Sequence, residues 1–80
     1  MLVQKLIKTE EIEIEGQIYT VSYFEVTTPR GTRRYSSELV IGPGDRIIVD
    51  GSSLADLAWR VARLAPATLF SRALAARAAA

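Results

Sequence analysis

Nearly every apolar run along the first fifty positions is typical of a strand, and the spacing of apolar residues changes to that of a helix near position 51. The alternation is complete over residues 11–15, where two isoleucines point to one side and three glutamates to the other. A period of two with opposite chemistry on its two sides predicts a strand that is buried on one face. The pattern therefore predicts strands over about residues 2–50 and a helical part over about residues 53–78.

Turn signals divide the strand part into an antiparallel meander. A two-residue turn at Glu15-Gly16 pairs Ile12 with Tyr19 and, beside it, Glu13 with Ile18. Because facing residues share a face of the sheet, this register predicts a core face of Ile12, Ile14, Tyr19, Val21 and Tyr23. The same register leaves three apolar side chains on the other face: Ile18, Phe24 and Val26. Either a bulge near residues 23–24 rotates the pattern, or the second face is partly covered.

Two further turns separate the remaining strands. Thr28-Pro29-Arg30-Gly31 is typical of a type I turn that closes into a G1 bulge, and Gly42-Pro43-Gly44-Asp45 favours a type II turn. The strands between these signals are predicted at about residues 2–7, 11–15, 17–27, 32–41 and 46–50. The last of them is almost wholly apolar, which suits a central or doubly covered position.

The helical part begins with a capping signal and is interrupted by a proline. Ser53 followed three residues later by Asp56 approximates a capping box, and Arg60 follows Asp56 at the favourable spacing of four. An apolar stripe recurs at helical spacing: Leu54, Leu57, Ala58, Val61, Leu64 and Ala65. Pro66 removes a backbone donor, so we expect the helix to be kinked or split there. The predicted fold class is α+β: a meander of three to five strands with this C-terminal helix packed on one face of the sheet.

Composition bounds the chain to a single small domain over residues 1–80 and narrows its chemistry. A chain of 80 residues hides only about 60% of its unfolded surface, so self-association is a live alternative to a larger core. The sequence contains neither cysteine nor histidine, which removes disulfides, thiolates and the commonest general base and metal ligand. We therefore predict no catalytic, metal or cofactor site. No apolar run approaches the length of a membrane span, and a reducing cytoplasm is permitted.

The near-neutral net charge of +1 conceals an asymmetry. Residues 1–51 carry six basic and eight acidic side chains, whereas residues 52–80 carry four arginines and a single aspartate. The helical part is therefore the basic part. The acidic part includes the exposed row Glu11, Glu13 and Glu15, which we interpret as a solvated strand face that can dock against the arginine-bearing helix surface of a neighbour.

The first candidate functional surface lies on the helix. If the helix were straight, Trp59, Phe70 and Leu74 would lie on the side opposite Leu57 and Val61. Three large apolar groups exposed together usually mark a contact surface, and tryptophan is common among interface anchors. The alternatives are core packing, if a kink at Pro66 turns Phe70 and Leu74 back onto the sheet, contact with a different protein, or adsorption to an anionic membrane surface.

The second candidate is the basic turn between the second and third strands. Arg30, Arg33 and Arg34 lie within five residues, and Tyr35 beside them can stack on an unpaired base. This arrangement is typical of a phosphate-contacting element. Against it, arginines on exposed strands also discourage aggregation, Arg33 and Arg34 point to opposite faces, and the chain is not markedly basic.

These observations favour a non-enzymatic, cytoplasmic protein-interaction or regulatory accessory domain that forms a homodimer, or otherwise binds another protein, through Trp59, Phe70 and Leu74. The alternative is a nucleic-acid-binding module that uses Arg30, Arg33, Arg34 and Tyr35. An enzyme ranks third, because it would need a concave pocket with convergent polar groups.

Overall fold

The computed structural model describes residues 3–79, in which four strands precede one helix. The elements are β1 (Val3–Ile14), β2 (Gln17–Thr27), β3 (Arg33–Gly42), β4 (Asp45–Gly51) and α1 (Leu54–Ala79). Each strand pairs antiparallel with the next, so the sheet order is β1-β2-β3-β4. The predicted α+β meander followed by a helix on the sheet is therefore confirmed. Leu2, predicted to begin the first strand, lies outside the described residues.

The first strand is longer than the sequence pattern predicts. The segments expected at residues 2–7 and 11–15 belong to one strand of 12 residues, whose register with β2 shifts between Leu6 and Lys8. The extra residue, Ile7, is a β-bulge opposite Tyr23 and Phe24. The irregularity therefore lies beside residues 23–24, where the sequence pattern allowed a bulge, but on the neighbouring strand.

The turns follow the chemistry of their residues. Glu15 and Gly16 both have positive φ, 50° and 81°, as a type I′ turn requires, and Ile12 pairs with Tyr19 as predicted. In the second turn the amide of Gly31 donates to the carbonyl of Thr28 at 2.9 Å, and Gly31 has φ 83°. Both hairpins are therefore set by local sequence.

The core lies between one face of the sheet and α1. Its buried apolar members are Val21, Tyr23, Leu39, Ile47, Val49, Leu57, Val61 and Ala65. Of the predicted core face, Val21 and Tyr23 are buried, whereas Ile12, Ile14 and Tyr19 are half-buried against the cluster. On the opposite face Ile18 is exposed and Phe24 and Val26 are half-buried.

The start of α1 is fixed by its cap and by a close approach to β4. The hydroxyl of Ser53 accepts a hydrogen bond from the amide of Asp56 at 3.1 Å, and Arg60 donates to the Asp56 carboxylate at 3.0 Å, as predicted. Gly51 lies directly under this turn: a Cβ there would come within 3.2 Å of the Leu57 Cβ. The strand and the helix can lie this close because residue 51 has no side chain.

The helix runs without interruption through Pro66, so the expected split is wrong and a kink is not confirmed. Proline removes the bond from residue 66 to the carbonyl of Ala62, but Ala62 and Pro66 are both exposed in the protomer, and water can hydrate that carbonyl. Packing on both sides of the proline holds the helix in place. Leu57 and Val61 are buried before it, and after it Nη1 of Arg72 lies 2.9 Å from Oδ1 of Asp45 in a charge pair that lacks hydrogen-bond geometry.

The helix covers half of the sheet. Its principal contacts are with β4 and β3, which leaves the core face of β1 and β2 only partly covered. β4 is an edge strand and not the central or doubly covered strand that its apolar sequence predicts, because no element of residues 3–79 covers its other face and Ile48 remains 61% exposed. The buried stripe of α1 is likewise narrower than predicted: Ala58 and Leu64 are exposed.

We expect Gly51→Ala to destabilise the fold by about 1–3 kcal/mol, because the added methyl group must displace Leu57 or Asp56 from contact distance. Urea unfolding followed by circular dichroism measures the effect. Gly42→Ala is the matched control, since a Cβ at residue 42 meets nothing within 4 Å. Equal stability of the two variants would contradict the close approach of α1 to β4.

Candidate functional site

Trp59, Phe70 and Leu74 form an exposed apolar stripe, called here the outer stripe, on the side of α1 that faces away from the sheet. Their exposed fractions are 60%, 62% and 48%. Trp59 and Phe70 lie about three helical turns apart, and Leu74 follows Phe70 by about one turn, so all three project to the same side. A turn of Phe70 and Leu74 onto the sheet at Pro66 is not found.

Basic side chains accompany the outer stripe. The guanidinium of Arg63 stacks on the ring of Trp59, with 4.8 Å between its central carbon and the ring centroid. Arg77 lies one turn beyond Leu74 and is also exposed. Arg60 and Arg72 have carboxylate partners at Asp56 and Asp45. The outer stripe is thus an apolar surface flanked by Arg63 and Arg77, neither of which forms an ion pair within residues 3–79.

An open groove separates α1 from the β1–β2 hairpin. It consists of two cavities of about 340 and 320 Å³ that share Ile14 and Pro66. The sheet side of the groove consists of Ile12, Ile14, Tyr19 and Tyr23, and its helix side of Ala58, Val61, Ala62, Pro66, Leu69, Phe70, Ala73 and Leu74. Charged groups lie only at its rim, where Glu10, Glu13 and Glu15 belong to the hairpin and Arg77 to the helix.

The acidic row of β1 contributes to this rim. Glu11 and Glu13 lie on the open face of the sheet, opposite Thr20 and Ile18, whereas Glu15 occupies the turn. None of these three carboxylates forms an ion pair with another of the described residues. Within residues 3–79 no group of three or more acidic side chains is close enough to hold a metal ion.

The basic turn does not assemble into one patch. Arg33 pairs with Thr27 on the helix side of the sheet and lies 3.8 Å from the carboxylate of Glu25, whereas Arg34 pairs with Val26 on the open face. Tyr35 is half-buried against the core cluster. Arg30 is exposed in the turn. Arg33 and Arg34 therefore point to opposite faces of the sheet, and the aromatic ring that would stack on a base is half-buried.

A titratable cluster that the sequence pattern did not indicate lies at one end of the groove. Nζ of Lys8 lies 2.7 Å from Oε1 of Glu10 and 5.1 Å from the centroid of the Tyr23 ring. Burial raises the pKa of Tyr23, with a smaller contribution from the charge of Glu10, and the hydrogen bond to Glu10 raises the pKa of Lys8. Lys8 lies opposite Tyr23 because the register that pairs Ile12 with Tyr19 continues through residues 8–10, which the sequence pattern did not assign to a strand.

Among the described residues the hydroxyl of Tyr19 donates to Gln17 at 3.2 Å and that of Ser37 to the carbonyl of Val49 at 3.4 Å, and no hydroxyl bonds a carboxylate. No helix within residues 3–79 has the length and hydropathy to cross a bilayer.

Comparisons with protein-family models, with curated proteins and with solved structures find no match to this chain.

We expect the stability of the protein to fall as the pH rises above about 10. In that range the unfolded chain releases the protons of Tyr23 and Lys8, while the folded chain, with both pKa values raised, retains them. Unfolding is therefore favoured as the pH increases through the raised values. Urea midpoints measured at pH 9 and pH 11 test the direction.

The stability of Tyr23→Phe should fall less with rising pH than that of the wild type, because the substitution removes the buried phenol. Tyr19→Phe retains Tyr23, so its stability should fall with rising pH as that of the wild type does. Identical pH dependence of all three proteins would contradict the assigned role of Tyr23.

Proposed function

We propose that this chain is a non-enzymatic protein-interaction domain that self-associates as a homodimer through the outer stripe. The single observation that supports this most strongly is the exposure of Trp59, Phe70 and Leu74 together, opposite the buried stripe of the same helix. Large apolar groups that share one surface are costly in water and usually belong to an interface. Tryptophan in particular supplies a large contact area at low conformational entropy.

The size of the domain supports the same proposal. Among the described residues ten large apolar side chains are exposed: Val3, Leu6, Ile7, Ile18, Val40, Ile48, Trp59, Leu64, Phe70 and Leu74. A chain of 80 residues gains modest stability from its own core, and association buries further apolar area without a longer chain. A regulatory or accessory role in the cytoplasm is the setting we propose, because the sequence contains no cysteine that would call for an oxidising compartment.

Sedimentation velocity and light scattering at micromolar concentration test the proposal. We expect a species of twice the protomer mass of 8.8 kDa. Trp59→Ala should weaken the dimer by at least tenfold, since truncation of a buried interface aromatic costs about 2 kcal/mol or more. Ile48→Ala is the matched control: Ile48 is as exposed as Trp59 but lies on the open face of the sheet.

A protein that remains monomeric up to about 100 μM would contradict self-association, because a dimer with a dissociation constant of about 100 μM has a binding free energy of only about 5.5 kcal/mol. Salt-dependent binding of a generic oligonucleotide, lost when Arg30, Arg33 and Arg34 are replaced by alanine, would instead support the nucleic-acid alternative.

A further inference from the structure

We propose that the groove between α1 and the β1–β2 hairpin binds α1 of a second copy of this chain, so that two sheets enclose two helices. This inference rests on the proposed self-association and adds the surface to which the outer stripe binds. It assigns two adjoining surfaces of each protomer to one interface: the outer stripe on the helix and the groove beside it, which meet at Phe70 and Leu74.

The width of the sheet is the first argument. Four strands at a spacing of about 4.8 Å extend about 14 Å from the first to the last, whereas packed helices lie about 8–10 Å apart. The sheet therefore offers room for two helices, and α1 occupies the half formed by β3 and β4. Val21 and Tyr23 of β2 are already buried, so the open part is β1 and the hairpin end of β2. This part is apolar at Ile12, Ile14 and Tyr19, and an apolar helix is the element that fits it.

The faces of α1 match this arrangement. In this arrangement each helix lies between two sheets. Its buried stripe contacts its own sheet, and its outer stripe faces β1 and β2 of the partner. The side of α1 that lines the groove then faces the second helix. That side carries Ala58, Ala62 and Ala73, and small residues allow two helix axes to approach closely.

Symmetry fixes which residues meet. Only a two-fold axis that runs between the helices, and along them, exchanges both the two helices and the two sheets. Each residue of α1 therefore contacts the partner at the same position along the helix axis that it occupies over its own sheet. Trp59 reaches the end of the groove near Tyr23 and Ile12, and Phe70 reaches the end near Ile14 and Tyr19.

The charges agree with the same pairing. Arg77 and Glu15 line the same end of the groove but form no ion pair within the protomer, among the described residues. Arg77 belongs to the outer stripe side of α1, so in the dimer it faces Glu15 of the partner subunit. Basic helix and acidic hairpin are thus complementary at matching heights.

The backbone of Glu15 is an independent observation at this rim. Residue 15 has φ 50°, in the left-handed region where asparagine, aspartate or glycine is preferred in a type I′ turn. A glutamate there is locally strained, and residues held in such conformations cluster at functional positions. A carboxylate that contacts the partner subunit accounts for the choice of residue.

Cysteine cross-linking tests the geometry, because the chain has no native cysteine. Residues that face the axis meet their own copies, so oxidised Ala62→Cys should run as a covalent dimer. Ser71→Cys is the matched control: it is exposed and lies about two and a half helical turns from Ala62, on the opposite side of α1. A sedimenting dimer in which residue 62 cross-links no faster than residue 71 would overturn the groove while leaving self-association intact. A protein that is monomeric throughout would contradict both proposals.

A charge exchange tests the contact between the helix and the hairpin. Arg77→Glu and Glu15→Arg should each weaken self-association roughly tenfold, because each homodimer then contains two like-charged contacts. An equimolar mixture should recover near-wild-type affinity as a heterodimer, in which one contact is native and the other is reversed. Equal effects of both variants in isolation but no recovery on mixing would contradict the pairing of Arg77 with Glu15.

A third variant separates fold from assembly. Glu15→Asn suits the backbone of the turn, so it should raise the urea midpoint of the protomer, measured at concentrations below the dissociation constant. It also removes the charge, so it should weaken the dimer several-fold. An equally strong or stronger dimer would count against a role for Glu15 in the contact with the partner subunit.

Discussion

The connection between β4 and α1 is two residues long, and the arrangement of the whole domain depends on it. Only Ser52 and Ser53 separate the end of the strand from the start of the helix. A chain that reverses so quickly must lay its helix over the strand it has just left and over the next strand of the sheet. Gly51 permits the close approach, and the Ser53 cap fixes where the helix begins.

The uncovered half of the sheet is a direct consequence. Because α1 is held over β4 and β3, it buries Val21 and Tyr23 of β2 but leaves β1 and the hairpin end of β2 partly uncovered, and there is no second helix within the described residues. The first hairpin nevertheless keeps the apolar pattern of a covered strand, with Ile12, Ile14 and Tyr19 turned toward the helix layer. The sheet of this domain is therefore wider than the single helix that packs on it.

Sequence reasoning succeeded where the determinants are local. The register of the first hairpin follows from Glu15-Gly16 and the alternation on either side, and the helix start follows from Ser53 and Asp56. Both features depend on contacts between residues close together in sequence, which a pattern can report.

It failed where the outcome depends on elements far apart in sequence. Nothing in the residues around Ile7 indicates a bulge, and the pattern does not show that residues 8–10 continue the first hairpin, which brings Lys8 to Tyr23. The expected break at Pro66 reflects a true local cost, but the packing of Val61 before the proline and the charge pair of Arg72 after it offset that cost. The groove was missed for the same reason, since it exists only through the position of α1 relative to β1. The residues of the outer stripe could be named because helical spacing alone relates them.

Two local conflicts line the groove and a third lies on the outer stripe beside it, which sets this region apart from the rest of the surface. Glu15 adopts a left-handed backbone conformation, Pro66 interrupts the hydrogen bonds of a helix, and Trp59 is exposed on the outer side of α1. Each of these features costs the isolated protomer stability, and none is needed to form the sheet, the turn or the helix. Well-adapted sequences are locally consistent, and exceptions are expected where a surface serves something other than folding. Because all three lie within one helix-sized region, a single contact that covers the groove and the outer stripe accounts for them more simply than three separate causes.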